Sequence, residues 1–306
     1  MDINYSNPKS QGVIIQLCAQ ARENRVNVIS PSNAINLVVR LTNTLAVKFG
    51  IGVTAAEADA LKFASQRLDP AVVKVPSVVQ FFTRPSDELW TTGYLVMDFI
   101  EGTTLDQLPL DDYLQLTDRI TQVIQHIHSF RSSRPGPLDG SPSRGLLWSE
   151  YNSGQSFNSR KDLQKYLDTR LAHLQGEVTI DVSDMALSLC HLDIAPRNII
   201  LSTDRSIYLL DWGCAGFYPP VFETWAIQLE AFVRGHPFMK ALGSELFSRS
   251  SFLEMAQVEA LMHVYRANQS IAFPNPNVQR EMEYFMRAAL GDAWNKTDQE
   301  LVGESS

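Results

Sequence analysis

Two short apolar segments joined by a polar turn dictate the geometry of the most informative part of this chain. Asn198 opens the run Ile199-Ile200-Leu201, Thr203-Asp204-Arg205-Ser206 turns it back, and Ile207-Tyr208-Leu209-Leu210 returns to Asp211. Apolar runs of this kind around a polar turn form a hairpin, which places Asn198 and Asp211 at the same open end. Upstream, Cys190-His191-Leu192-Asp193-Ile194-Ala195-Pro196-Arg197-Asn198 reads H-x-D-x-x-x-x-N, and downstream Asp211-Trp212-Gly213 reads D-x-G. An amide and a carboxylate at one hairpin mouth can share a magnesium ion, and a further carboxylate beside them can orient a hydroxyl. Phosphoryl transfer requires that set. The plain alternative is a hairpin with polar residues at its mouth. The first motif arises by chance in roughly one per cent of chains of this length, and the D-x-G on the returning strand makes coincidence rarer still.

The chain has 306 residues, enough for two lobes or one large domain. Hydrophobic residues at 44% and charged residues at 20% describe an ordinary globular protein. A net charge of −8 gives no reason to expect nucleic acid or an anionic membrane as partner, and mildly favours a cationic or neutral ligand. Cys18, Cys190 and Cys214 are dispersed and show neither a disulfide framework nor zinc spacing, so buried apolar thiols are expected. Met1 to Ser10 is polar and no run approaches membrane-spanning length, which makes the cytoplasm the expected location.

Ser10 caps an expected first helix carrying Val13, Ile14, Leu17 and Cys18 on one face and ending near Asn24. Five strands are then expected at Val26–Ile29, Ile35–Leu41, Leu45–Phe49, Val78–Phe82 and Gly93–Ile100, with a helix at Thr54–Leu68 after the third. Beyond Gly102 the pattern turns helical, with Ile120, Val123, Ile124 and Ile127 on one face. Residues 131–159 are rich in Ser, Pro and Gly and predict a long loop, a candidate lid. Lys161–Leu174 and the stretch from about Pro220 to Trp294 predict helices, and the polar tail 298–306 should fray. The fold class is α+β, with a small lobe over residues 1–97, a connection at 98–102 and a mainly helical lobe over 103–297.

Lys48 ends an apolar strand, where it can reach phosphates or serve as an edge lysine. Glu57 closes Thr54-Ala55-Ala56-Glu57, a capping box, and is also placed to pair with Lys48. At Met97 to Gly102 a strand meets a turn, and the backbone of Asp98, Phe99 and Ile100 can meet an adenine edge; alternatively Asp98 and Glu101 are simply solvated. Glu223 follows Pro219-Pro220 and reads as a helix-start carboxylate. His126 and His128 point to different helix faces and make a poor metal pair. Trp212 is expected to pack beneath the site.

Lys48, Glu57, the Met97–Gly102 connection, His191-x-Asp193-x-x-x-x-Asn198 and Asp211-Trp212-Gly213 together resemble the aminoglycoside phosphotransferase family, within the protein-kinase-like fold. The segment from Asp211 to Glu223 looks especially like its fungal members. The resemblance spans about residues 26–290. It implies a bilobal fold with a five-stranded antiparallel sheet plus helix, and transfer of the γ-phosphoryl of ATP or GTP to a hydroxyl of a small molecule. By that resemblance Asp193 orients the hydroxyl, Asn198 and Asp211 hold Mg2+, Lys48 neutralises the phosphates and His191 steadies the loop. Ser32 and Asn33 would lie in the nucleotide loop. Here the chain departs from pattern, because Ser30-Pro31-Ser32-Asn33-Ala34 has no glycine for close backbone approach. Only residues 214–222 separate Gly213 from Glu223, too few for the peptide-binding segment of a protein kinase. A kinase-fold protein that only binds ligand, or one of changed chemistry, is the alternative.

Overall fold

Alternation along the strands organises the smaller lobe. The structure, a computed structural model, describes residues 4–31, 34–86, 91–109, 114–148, 152–174 and 178–269. Helix α1 (Gln11–Asn24) precedes β1 (Leu37–Arg40) and β2 (Leu45–Gly50); α2 (Ala55–Arg67) follows, then β3 (Val78–Pro85) and β4 (Thr91–Asp98). The strands pair antiparallel in the order β1-β2-β4-β3. Val47 and Phe49 of β2 and Tyr94 and Val96 of β4 pack with Ile14, Cys18 and Ala21 of α1. The intervening positions face the opposite way. Leu95 packs with Ala58, Leu61 and Ala64 of α2, and Lys48, its partner in the β2–β4 register, turns toward the same helix.

This sheet has four strands, not the expected five. Val28 makes only an isolated bridge to Val39. Arg25 and Asn27 flank Val26 with φ of 57° and 58°, so left-handed turns break the extended run. Ser32 and Asn33 lie outside the described residues, as do residues 270–306 with the expected end of the last helix and the tail.

The larger lobe comprises β5 (Gly102–Thr104), α3 (Thr117–Ile127), β6 (Arg131–Ser132), α4 (Arg160–Leu171), β7 (Leu187–Cys190), β8 (Ile199–Ser202), β9 (Ile207–Leu209), β10 (Gly216–Tyr218), α5 (Val221–Arg234), α6 (Pro237–Ser248) and α7 (Phe252–Gln269). The expected hairpin forms: β8 pairs β9 from Ile199↔Leu209 to Leu201↔Ile207, and Leu210 N donates to Asn198 O at 2.8 Å. The segment after α2 docks on it, with Lys74 N donating to Ile207 O at 2.8 Å and Leu209 N donating to Lys74 O at 3.0 Å. His126 on α3 joins the lobes too, accepting from Asp69 N at 2.9 Å. One apolar core therefore runs from α2 and Leu95 through Ile120, Ile124 and Ile127 to Leu209 and Trp212.

The described parts of the stretch 131–159 are anchored to the larger lobe. Gly136 and Phe217 exchange backbone bonds at 3.0 and 2.9 Å, and the Tyr218 hydroxyl bonds Ser143 Oγ at 2.8 Å. Trp148, 1% exposed, sits among Phe157, Tyr166, Tyr218 and Phe222. Among the described residues no helix is long and apolar enough to cross a membrane.

The approach of β4 to the start of α2 leaves no room for a side chain at Gly93, where a Cβ would overlap the Val53 carbonyl oxygen. Backbone cannot yield as a flexible side chain does. Gly93→Ala should therefore cost about 1–3 kcal/mol of unfolding free energy, read by urea denaturation; an unchanged midpoint would refute the close packing.

Candidate active site

Strand β2, helix α2 and the turn after β9 each deliver one charge to a common point. Lys48 Nζ lies 2.7 Å from Glu57 Oε1 and 2.8 Å from Asp211 Oδ1. Thr54 Oγ1 meanwhile accepts from Glu57 N at 3.4 Å. Thr54 thus caps the backbone at Glu57, while the Glu57 carboxylate goes to Lys48 rather than back to the Thr54 amide as a full capping box would have it. Burial pushes the Lys48 ammonium down, but Asp211 and Glu57 outweigh it and keep the group charged. Burial likewise pushes Asp211 up, yet Lys48 prevails and the carboxyl stays below its ordinary value. Asp211 adopts φ 61° and ψ 72°, a left-handed conformation costly for a non-glycine residue.

Asp193 and Asn198 meet across the loop between β7 and β8. Asn198 Nδ2 donates to Asp193 Oδ2 at 2.8 Å and to Asp193 O at 2.9 Å. That orientation leaves the amide oxygen of Asn198 for a ligand. Together with the ionised Asp211 it makes an oxygen donor set suited to a hard cation such as Mg2+. Asp193 is raised to about 7, first by burial and further by Asp211, against the opposing charge of Arg197. It is therefore a better base than an ordinary carboxylate.

His191 is buried and holds the loop by both ring nitrogens. Nδ1 accepts from Asp193 N at 3.2 Å and Nε2 donates to Leu210 O at 3.0 Å, which fixes the Nε2–H tautomer. Its ring lies edge-on to Trp212 at 4.9 Å, and Trp212 Nε1 donates to Leu209 O at 3.1 Å. Leu192, next in the chain, has φ 62°. Glu223 secures this strained turn: Oε2 accepts from His191 N at 2.5 Å and Oε1 from Leu192 N at 2.9 Å. Glu223 does start a helix, as expected, but its carboxylate clamps the loop. Arg197 and Glu230, 2.6 Å apart, were missed; the only sequence signal was that Glu230 shares a helical face with Glu223.

The connection after β4 is partly closed to a ligand. Asp98 N donates to Ser77 O at 3.1 Å and Phe99 N to Thr44 O at 2.8 Å, while the Phe99 ring lies under Arg40 at 4.2 Å. The expected adenine contact thus loses two of its three amides; Ile100 N has no hydrogen-bond partner among the described residues. Ligating atoms of His128, Cys190 and Glu223 fall within 4.8 Å of one another. Both Glu223 oxygens already bind amides, and burial holds the Cys190 thiol well above its ordinary value, so this cluster packs without needing a metal.

The model of the phosphotransferase enzyme family (APH) matches residues 26–253. The chain belongs to this family. No curated protein matches its sequence. Its structure is similar to an apo thermostable mutant of aminoglycoside phosphotransferase APH(4)-Ia, at 12% identity and TM-score 0.54 over 91% of this chain and 94% of that one. APH(4)-Ia itself aligns at 13% identity and TM-score 0.55, over 85% and 90%. Aminoglycoside-3'-phosphotransferase of type VIII aligns at 17% identity and TM-score 0.50, over 81% and 98%. Such low identities establish the shared phosphotransferase fold and leave each protein its own chemistry.

Burial lowers His191 from 6.5 to about 4. Because the folded value lies below the unfolded one, this phosphotransferase gains the full contribution of a neutral His191 above about pH 6.5. It loses that contribution as pH falls toward 4, at about 1.4 kcal/mol per unit. NMR should show a neutral Nε2–H ring down to about pH 5. Titration near 6.5, or the Nδ1–H tautomer, would contradict the geometry.

Proposed function

We propose that this phosphotransferase is a small-molecule kinase, moving the γ-phosphoryl group of ATP or GTP to a hydroxyl. The observation that carries this reading is the convergence of Lys48 from β2, Asp211 from the turn after β9, and Asp193 and Asn198 from the loop between β7 and β8 on one partly open site. A ternary complex of an APH(4)-Ia mutant with ADP and hygromycin B, a structure of the same fold, supports a site that takes a nucleotide and a small molecule together. Residues 98–102 serve as the hinge between a nucleotide-binding lobe over 1–97 and an acceptor-binding lobe over 103–297.

Asp193 accepts a hydrogen bond from the acceptor hydroxyl and takes its proton as the new O–P bond forms. Lys48, today shared between Glu57 and Asp211, turns its third N–H to the phosphates. Asn198 and Asp211 would hold Mg2+, which neutralises charge on the phosphates when bound. The transition state is loose, so these residues act by alignment and charge neutralisation rather than by covalent chemistry. A small acceptor is favoured because β10 and α5 follow Gly213 at once and leave no peptide-binding segment.

The test is the thermal midpoint with ATP or GTP, with and without magnesium, for wild type and Asp211→Ala. At saturating nucleotide, about 100 times Kd, wild type should gain about 2.7 kcal/mol, a rise of several degrees. Asp211→Ala should lose the magnesium-dependent part. Asp193→Asn should keep the shift and lower turnover by about two to four orders of magnitude. No shift at millimolar nucleotide sinks the kinase reading.

A further inference from the structure

Helix α5 holds the catalytic loop at two places. Glu223 and Glu230 lie two helical turns apart and so share a face. Glu223 grips the backbone of His191 and Leu192. Glu230 instead reaches a side chain, with its Oε1 2.6 Å from one terminal nitrogen of Arg197. The other terminal nitrogen of Arg197 lies 2.6 Å from Asp193 Oδ1. Asn198 holds the second oxygen of the same carboxylate at 2.8 Å. Both oxygens of Asp193 are thus tethered, one from its own loop and one, through Arg197, from α5.

We propose that Arg197, braced by Glu230, is a positioning residue that sets the plane of the Asp193 carboxylate against the acceptor hydroxyl. The inference rests on the kinase reading above. An aspartate carboxylate turns broadly about χ2 when held at one oxygen only. Two tethers stop that rotation and leave the remaining lone pairs at fixed directions. The guanidinium suits the task because its planar fork gives one arm to each carboxylate. A lysine ammonium keeps the charge but cannot span both carboxylates in that geometry. Glu230 in turn is 9% exposed at its side chain and also lies 3.0 Å from Arg234 Nε, so it is itself held from two sides. Removing its partners would leave a mostly buried charge uncompensated.

A purely structural clamp is the competing account, and it makes a different forecast. Loosening a clamp would weaken nucleotide binding and stability along with turnover. A positioning role lowers kcat while leaving the KM for MgATP and the nucleotide-induced thermal shift in place. Because the acceptor is unidentified, water serves as the acceptor probe: ATP and water give ADP and inorganic phosphate, with Asp193 taking the proton from water.

The experiment measures ADP release from MgATP by the full chain, for wild type, Arg197→Met, Arg197→Lys, Glu230→Gln and Asp193→Asn, with thermal midpoints for each. Arg197→Met should lower kcat about 10- to 100-fold with KM for MgATP within about twofold of wild type. Arg197→Lys should recover little of that loss, and Glu230→Gln should give a smaller loss of the same kind. Wild-type kcat in a folded Arg197→Met overturns the proposal. So does a loss of kcat matched by an equal loss of the MgATP shift, which marks a structural clamp. Should wild type neither bind MgATP nor release ADP above Asp193→Asn, the kinase reading itself fails and takes this inference with it.

Discussion

A buried ammonium between two carboxylates is the constraint on which the rest of the structure depends. Lys48, 7% exposed, would be untenable inside a sheet-and-helix sandwich without compensation. Its compensation comes from different parts of the chain: Glu57 at the start of α2, and Asp211 from beyond the β8–β9 hairpin. The ion pair to Glu57 closes the small lobe on itself. The pair to Asp211 ties that lobe to the other. Removing one carboxylate would leave the ammonium half-matched, whereas an apolar residue at position 48 would leave two carboxylates facing each other. Such a triad is weak evidence for stability, but it specifies how the lobes meet.

The second constraint is backbone strain at the loop ends. Leu192 and Asp211 both hold left-handed φ, which costs about 1–3 kcal/mol at a non-glycine residue. Each is held by bonds that a relaxed backbone would forgo. Glu223 binds the successive amides of His191 and Leu192, and His191 spans from Asp193 N to Leu210 O. The strained turns therefore point their two aspartates at one another's neighbourhood because a histidine and a glutamate, both buried and lacking solvent, have nowhere else to find partners.

Much of this arrangement was legible in the chain because it obeys short-range rules. The hairpin announced itself through two apolar runs and a polar turn. Strand alternation turned Lys48 away from Val47 and Phe49. Glu57 gives its amide to the Thr54 cap and its carboxylate to Lys48, so only the Thr54 half of the capping box forms. The first expected strand failed because left-handed residues such as Arg25 and Asn27 carry no mark in a hydrophobic pattern. The Ser/Pro/Gly-rich stretch concealed Trp148, whose burial nails the loop to β10 and α4 through contacts remote in sequence. Arg197 and Glu230 were illegible for the same reason: a charge pair across a tertiary contact has no period and no fixed spacing.

The charge balance of the site bears on the order of ligand binding. With Glu57, Lys48 and Asp211 ionised, carboxylates exceed cations by one, whereas Asp193 and Glu230 are matched by Arg197 and Arg234. A bare triphosphate entering beside them meets net negative charge, and the nearest ammonium is already shared. On the proposed reading, Asp211 and the amide oxygen of Asn198 would hold a divalent cation, whose charge would offset this excess and leave Lys48 freer to turn an N–H to the phosphates. The same cation would relieve the repulsion that Asp211 exerts on Asp193, making that carboxylate easier to ionise when the acceptor arrives.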